Sequence, residues 1–392
     1  MELKFRKGQN FDCIEGCARC CQAGWRVTLE PAAVQLVREH YVGLPVLQDK
    51  DGRTLLEREG DDCVMLDSQR LCRLHRDFGV EAKPLTCRAF PFILEPTPNG
   101  VAVGVSFYCP AVQQNRGRPV SEHLGELARL VEKTQPQPIE STPAIFGILK
   151  IRWDAYEQLE DRLDREIGRD PGALGRILWR LGGWILAQKS RPAVLETGDL
   201  PELLCGRRPE AREAQWLAWL EELFAAALVG AVEANVPEQV WSIQDDLARG
   251  GEVVLGRLGW RGTGDELKAC LPDLVLPSSE VTRYLRELLF RKHLVSEGPL
   301  LANLMLLFLL PRFLAVYTAL GALARGAPGA QAEDYWRAVD AAEYHLFAHG
   351  RKASELSRHF SNLFLDQLSS RVSGWRVVSP GPAAPSSVAD AK

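Results

Sequence analysis

The stretch FDCIEGCARCCQAGW, residues 11–25, places four cysteines within nine positions. The 392-residue chain has ten in all; eight fall between Cys13 and Cys109, leaving Cys205 and Cys270 isolated. A chain of this length, 46% hydrophobic, can bury a core without cross-links, so the thiols answer another need. Met1–Gln9 is charged and lacks the apolar run and small-residue cleavage site of a secretory signal, which predicts a cytoplasmic protein. In that reducing compartment clustered thiols bind metals or do redox chemistry, and stable disulfides are uncommon.

Working outward, the spacing is Cys13-x3-Cys17-x2-Cys20-Cys21, then Cys63, Cys72-x2-His75, Cys87 and Cys109. Soft thiolates at such spacing suit Zn²⁺ or an iron–sulfur cluster such as 4Fe–4S. The candidate metal ligands are Cys13, Cys17, Cys20, Cys21, Cys63, Cys72, Cys87 and Cys109, with His75 as a ninth. They match two four-ligand sites, or one cluster with spare thiols. On an extended backbone adjacent side chains point to opposite sides, so Cys20 and Cys21 are expected to serve two centres, or one centre plus a structural or reactive thiol. The competing reading is that some are small buried hydrophobes. Four thiolates round a divalent ion leave net negative charge, and Arg19, Arg70, Arg73, Arg76 and Arg88 are interleaved with the cysteines, either to offset that charge or as solvated surface.

The rest of the first third is short segments broken by Pro and Gly. Pro31 opens a helix to about Tyr41, and PNGVAVGVSFYC (98–109) reads as a turn and an alternating strand, giving an irregular module with little helix and one small sheet. A polar helix at Ser121–Lys133 leads to TQPQPIESTP (134–143), a proline-rich linker. Beyond it, apolar residues recur at helical spacing: Ile148, Ile151, Trp153, Tyr156, Leu159, then Leu174, Ile177, Leu178, Leu181, Ile185. The pattern continues through 211–234, 280–295, 332–348 and 354–370. The most apolar run, Pro299–Leu323, is interrupted by Asn303 and Pro311-Arg312 and is expected to be a buried helical hairpin rather than a membrane span. The expected fold is mainly α: an irregular cysteine-rich metal-binding module at 1–118, a helix and linker at 119–144, an all-α helical domain at 145–378 and a disordered tail at 379–392. A net charge of −4 disfavours nucleic-acid binding.

CIEGCARCCQAGW, CVMLDSQRLCRLHRDFG, PLTCRAFPF and the later Cys109 resemble the eight-cysteine family of zinc- or iron-chelating cysteine-cluster proteins. Trp25 after the double cysteine, Leu66-Asp67 between Cys63 and Cys72, and the helical extension are similar to the flagellin lysine-N-methylase branch. The resemblance implies a metal or iron–sulfur centre on the eight cysteines. For that branch it also implies methyl transfer from S-adenosylmethionine to lysines of flagellin as partner.

Methyl transfer to lysine needs an uncharged amine aligned with a sulfonium methyl, and aromatic walls suit the cation. Trp25, Phe90, Phe92, Phe107 and Tyr108 could form such walls, or a small core. No cofactor motif stands out: VVLGRLGWRGTGDEL (253–267) has Gly256, Gly259, Gly262 and Gly264 at irregular spacing and reads as an ordinary loop in helical surroundings. Cys13-x3-Cys17-x2-Cys20 coincides with the radical S-adenosylmethionine signature, but a fourth cysteine abuts it, Arg19 replaces the usual aromatic residue and no barrel pattern follows. His345-x3-His349 lacks an HExxH glutamate and reads as a solvated helix end. With no GxSxG or Walker loop, the rival to an enzyme is a non-enzymatic metal-stapled module whose helices bind a partner.

Overall fold

The computed structural model describes residues 2–371 apart from 45, 171, 190, 206–208 and 349–350. The expected disordered tail, 379–392, lies outside the described residues.

The cysteine-rich part is built on three small sheets rather than one. PNG turns the chain between Phe92–Thr97 and Gly100–Val105, which pair antiparallel, and Leu3–Phe5 adds a parallel strand on the other edge. A β-carbon on Gly100, at φ +132°, would stand 2.6 Å from the Glu2 carbonyl oxygen, so glycine lets the first strand dock. The expected alternation in GVAVGV gives way to burial on both faces, because helix Ser278–Phe290 covers the second face. Gly104 allows that approach: a β-carbon there would lie 2.2 Å from Arg291 Cγ. Two further sheets, Val27–Thr28 with Thr54–Leu56 and Val46–Gln48, and Arg58–Glu59 with Asp62–Cys63, flank helix Pro31–His40. They enclose a satellite core of Leu29, Val37, Leu56, Met65 and Leu74.

The remainder is mainly helical and packs round Leu300–Ala324, with Ala173–Ala187, Ala211–Glu233, Ala332–Ala342 and Arg351–Arg371 against it. The expected hairpin at Pro299–Leu323 is instead one continuous helix with Pro311 inside it. An interior proline costs about 3 kcal/mol, whereas each buried leucine returns roughly 1.5–3 kcal/mol, and the helix buries nine leucines from Leu300 to Leu320 along with Phe313. Asn303 does not break it, since its Nδ2 donates to the carbonyls of Leu294 at 3.2 Å and Glu297 at 2.9 Å. Two helices, Ala211–Glu233 and Leu300–Ala324, are long and apolar enough to cross a bilayer, but 67% and 83% of their most apolar windows are buried inside the protein.

The start of a segment read as helix, and a segment read as a loop, are strand. Ile151 belongs to Leu149–Ile151, which turns back through Gly147 (φ +55°) onto Ala144–Phe146, and the helix begins at Trp153. The glycine-rich run forms an antiparallel hairpin, Glu252–Leu255 with Trp260–Thr263, before a short helix at Gly264–Cys270. Short apolar runs fit either period, and turn geometry decides. The helix from Ala332 becomes a π-helical turn at Glu343–Ala348. One hydrophobic core runs from Phe11 and Phe107 through to Leu304 and Phe360.

Candidate metal centre and adjoining cleft

The backbone at the double cysteine is not extended. Ala18, at φ 53°, turns the chain into a 3₁₀ turn over Arg19–Gln22. Cys20 and Cys21 therefore face each other closely enough for the Cys21 thiol to hydrogen-bond Cys20. The expected separation of their side chains on an extended strand is corrected accordingly, because a tight turn rotates successive side chains by far less than a strand does.

From this contact the thiols divide into two neighbourhoods. Cys13, Cys17 and Cys109 feel one another electrostatically, and Cys20 adjoins Cys13. Cys21 has Cys63 and Cys72 as neighbours, and Cys87 lies against the same pair. The first group lines a pocket of about 300 Å³ and the second one of about 290 Å³, with Cys20 and Cys87 bordering both. His75, on helix Arg73–Phe78, lines the first. Among the described residues no three His, Cys, Asp or Glu side chains are drawn together into a metal-binding group, so the thiols border the pockets without converging on one point. The donor set is nonetheless that of a soft-metal site: eight thiols on irregular backbone with few competing carboxylates.

Burial pushes most of these thiols up: Cys87 to about 12, Cys109 to about 11, and Cys13 and Cys63 in the same direction. Cys21 rises because its proton is shared with Cys20. Cys20 alone is brought down, to about 6, by the hydrogen bond from Cys21, with nearby Lys83 and backbone N–H groups adding to it. Cation binding at such thiols must displace protons and is pH-dependent.

The interleaved arginines find oxygen and ring partners rather than sulfur. Arg19 pairs with Asp340 and lies 4.7 Å over the Tyr108 ring. Arg70 Nη2 donates to the Cys17 carbonyl at 2.7 Å, Arg73 lies over Tyr41, Arg76 pairs with Asp67 and Asp77, and Arg88 pairs with Glu81. Lys83, which the sequence reading passed over, is the cation that borders both thiol pockets. Its position four residues before Cys87 is the only signal the sequence carries.

The candidate aromatic walls separate into two kinds. Phe92 and Phe107 are core: Phe92 packs on Phe11 at 5.3 Å, and Phe107, fully buried, stacks on Tyr284 at 4.9 Å. Trp25 sits at the seam, 4.9 Å from Phe90, 5.2 Å from Tyr108 and stacked on Tyr344 at 6.4 Å. Tyr108 and Tyr344 open onto a separate cleft of about 550 Å³ between the cysteine-rich part and the helices. Arg19, Arg257, Trp336, Arg337 and Asp340 also line it. His345 borders this cleft, while His349 lies outside the described residues.

Beneath the seam, buried Glu343 accepts from Ser106 Oγ at 3.0 Å, Tyr284 OH at 2.7 Å and Arg291 Nη1 at 2.6 Å. Buried Glu287 accepts from the Val105 N–H at 2.8 Å and from Arg6 at 3.3 Å. These carboxylates tie the end of strand Gly100–Val105, four residues before Cys109, to the π-helical turn that carries Tyr344.

Comparison with known proteins agrees with the cysteine spacing. An uncharacterized protein of Methanocaldococcus jannaschii is 32% identical over 167 residues, 40% of this chain and 59% of the relative. A lysine-N-methylase of Salmonella choleraesuis is 28% identical over 117 residues, 26% of this chain and 29% of the relative. The flagellar biosynthetic protein FliU of Salmonella muenchen is 27% identical over 116 residues, 26% of this chain and 69% of the relative. The chain thus spans 59% and 29% of the length of the first two. No solved structure matches. Residues 12–111 match the family model described as "Putative zinc- or iron-chelating domain", and all eight clustered cysteines fall inside that span.

Proposed function

We propose that the chain binds zinc or an iron–sulfur cluster through Cys13, Cys17, Cys20 and Cys109 as one set and Cys21, Cys63, Cys72 and Cys87 as another, and that it is an S-adenosylmethionine-dependent protein-lysine methyltransferase acting on flagellin in the cytoplasm. The observation that carries the metal half is the division of eight thiols into two neighbourhoods of four at the Cys20–Cys21 contact. Four thiolates complete a tetrahedral zinc site or a cubane cluster. The catalytic half is supported by the likeness to the Salmonella lysine-N-methylase and flagellar biosynthetic protein and by an aromatic-lined cleft beside the thiols. In this reading residues 1–118 are the module, 119–144 the linker and 145–378 the helical domain, of which 372–378 lie outside the described residues.

The rival is a metal that only staples the module. A radical mechanism on Cys13, Cys17 and Cys20 is disfavoured, since Cys109 beside them offers a fourth thiol where such enzymes leave an iron open, and the described residues contain no parallel strand–helix barrel.

Anaerobic purification followed by assay of iron, acid-labile sulfide and zinc tests the metal half. Bound metal is expected, lost in stages when Cys109 and Cys63 are changed to alanine; a metal-free but fully folded protein would remove it. Mass spectrometry of flagellin from cells with and without the gene tests the substrate, and unchanged lysine methylation of a methylated flagellin would exclude it.

A further inference from the structure

The cleft between the cysteine-rich part and the helices is distinct from both thiol pockets, and the sequence motifs did not reveal it. Its long wall is one face of the helix from Ala332: Glu333, Trp336, Arg337, Asp340 and Tyr344 recur at three- and four-residue spacing. At 1.5 Å per residue that face runs roughly 16 Å. One end is the Arg19–Asp340 ion pair with the rings of Tyr108 and Tyr344, next in sequence to Cys20. The other end is formed by the glycine-rich hairpin. Arg337 Nη2 donates to the Arg257 carbonyl at 3.0 Å, fixing the loop, and the Arg257 N–H donates to Glu233 at 2.9 Å.

Two features point to an occupant. The Arg257 guanidinium borders the cleft and makes no hydrogen bond or ion pair among the described residues, and Arg19 Nε is buried with no acceptor. A volume of about 550 Å³ is that of a small-molecule site. Guanidinium groups, carboxylates and aromatic rings along one groove select a ligand carrying both signs of charge and a flat ring.

We propose that this cleft is the S-adenosylmethionine site, with Arg257 taking the carboxylate, the Trp336 ring facing the sulfonium midway along the groove, and Tyr108 and Tyr344 lining the end near Cys20 where the purine ring lies. This rests on the methyltransferase reading above. It adds which residues make up the cofactor site and moves that site off the thiol pockets. A guanidinium suits a carboxylate through paired N–H donors, and an aromatic face suits an organic cation.

The test is isothermal titration of the full, metal-loaded chain with S-adenosylmethionine. Arg257→Ala and Trp336→Ala should each weaken binding about tenfold or more with metal content unchanged and the chain folded, while Arg249→Ala on the exposed helix surface leaves it alone. Both cleft variants folded, metal-loaded and binding as wild type would overturn the cleft assignment while leaving the methyltransferase reading intact. No binding by the metal-loaded wild type would remove the methyltransferase reading itself, and the cleft assignment with it. Should the variants fail to fold, ultraviolet cross-linking of radiolabelled S-adenosylmethionine to the wild type decides: label on the peptide holding Trp336 and Tyr344 supports the cleft, and label confined to residues 63–92 overturns it.

Discussion

At the level of single residues, the thiols were legible and their surroundings were not. Eight cysteines in about a hundred residues declare a soft-metal site whatever the fold, but only the 3₁₀ turn at Arg19–Gln22 brings Cys20 against Cys21, and only tertiary packing puts Lys83 between the two thiol groups. The same holds for carboxylates. Glu95 looks like a surface acid in strand Phe92–Thr97, yet burial, with Glu297 nearby, raises it to about 7. A raised acid binds more protons folded than unfolded, so stability falls as pH climbs from the ordinary range near 4.5 towards 7. Glu95→Gln removes that linkage: urea denaturation should find the variant more stable than wild type at pH 8 and no more stable at pH 5. Equal differences at both pH values would show that Glu95 does not carry the effect.

At the level of elements, periodicity located the long helices and failed at short ones. Helix 173–187 and the strand after PNG were readable because their patterns outlast the ambiguity between a period of two and of 3.6. Ile151 was misread as helix because three apolar residues satisfy both, and the glycine-rich run was read as a loop because its strands are only four residues each. Pro311 was read as a break, since its cost is local and visible while the burial that outweighs it comes from four surrounding helices. Close approach between elements is likewise set by tertiary structure. At Gly104 helix Ser278–Phe290 comes so near that an added methyl would meet Arg291 Cγ at 2.2 Å and Glu287 Oε1 at 3.0 Å. Gly104→Ala should therefore destabilise the protein by ~1–3 kcal/mol, measured by denaturant unfolding, and a change within 0.5 kcal/mol either way (roughly the scatter of neutral surface substitutions) would mean the helix can withdraw freely.

For the whole molecule, composition and cysteine spacing indicated two different halves, whereas the packing joins them. The core is continuous from Phe11 to Phe360, and Glu343 gathers Ser106 from the cysteine-rich part and Arg291 and Tyr284 from the helices. Removing a carboxylate that pairs a buried arginine costs about 3–5 kcal/mol. Glu343→Ala should accordingly lower the stability of both halves together, and calorimetry of the wild type should give one transition that chelation of the bound metal shifts down as a whole. Two well-separated transitions would show that the seam does not couple the halves. The sequence by itself determined the metal-binding chemistry, the mainly helical class and the places of the long helices, because thiol softness and helical period are local properties that survive any packing. The tertiary structure decided the pairing of the eight thiols into two groups, the unbroken central helix and the cleft beside Cys20. Each depends on residues far apart in the chain, from Arg19 to Asp340 and from Arg257 to Arg337, whose proximity no local pattern encodes.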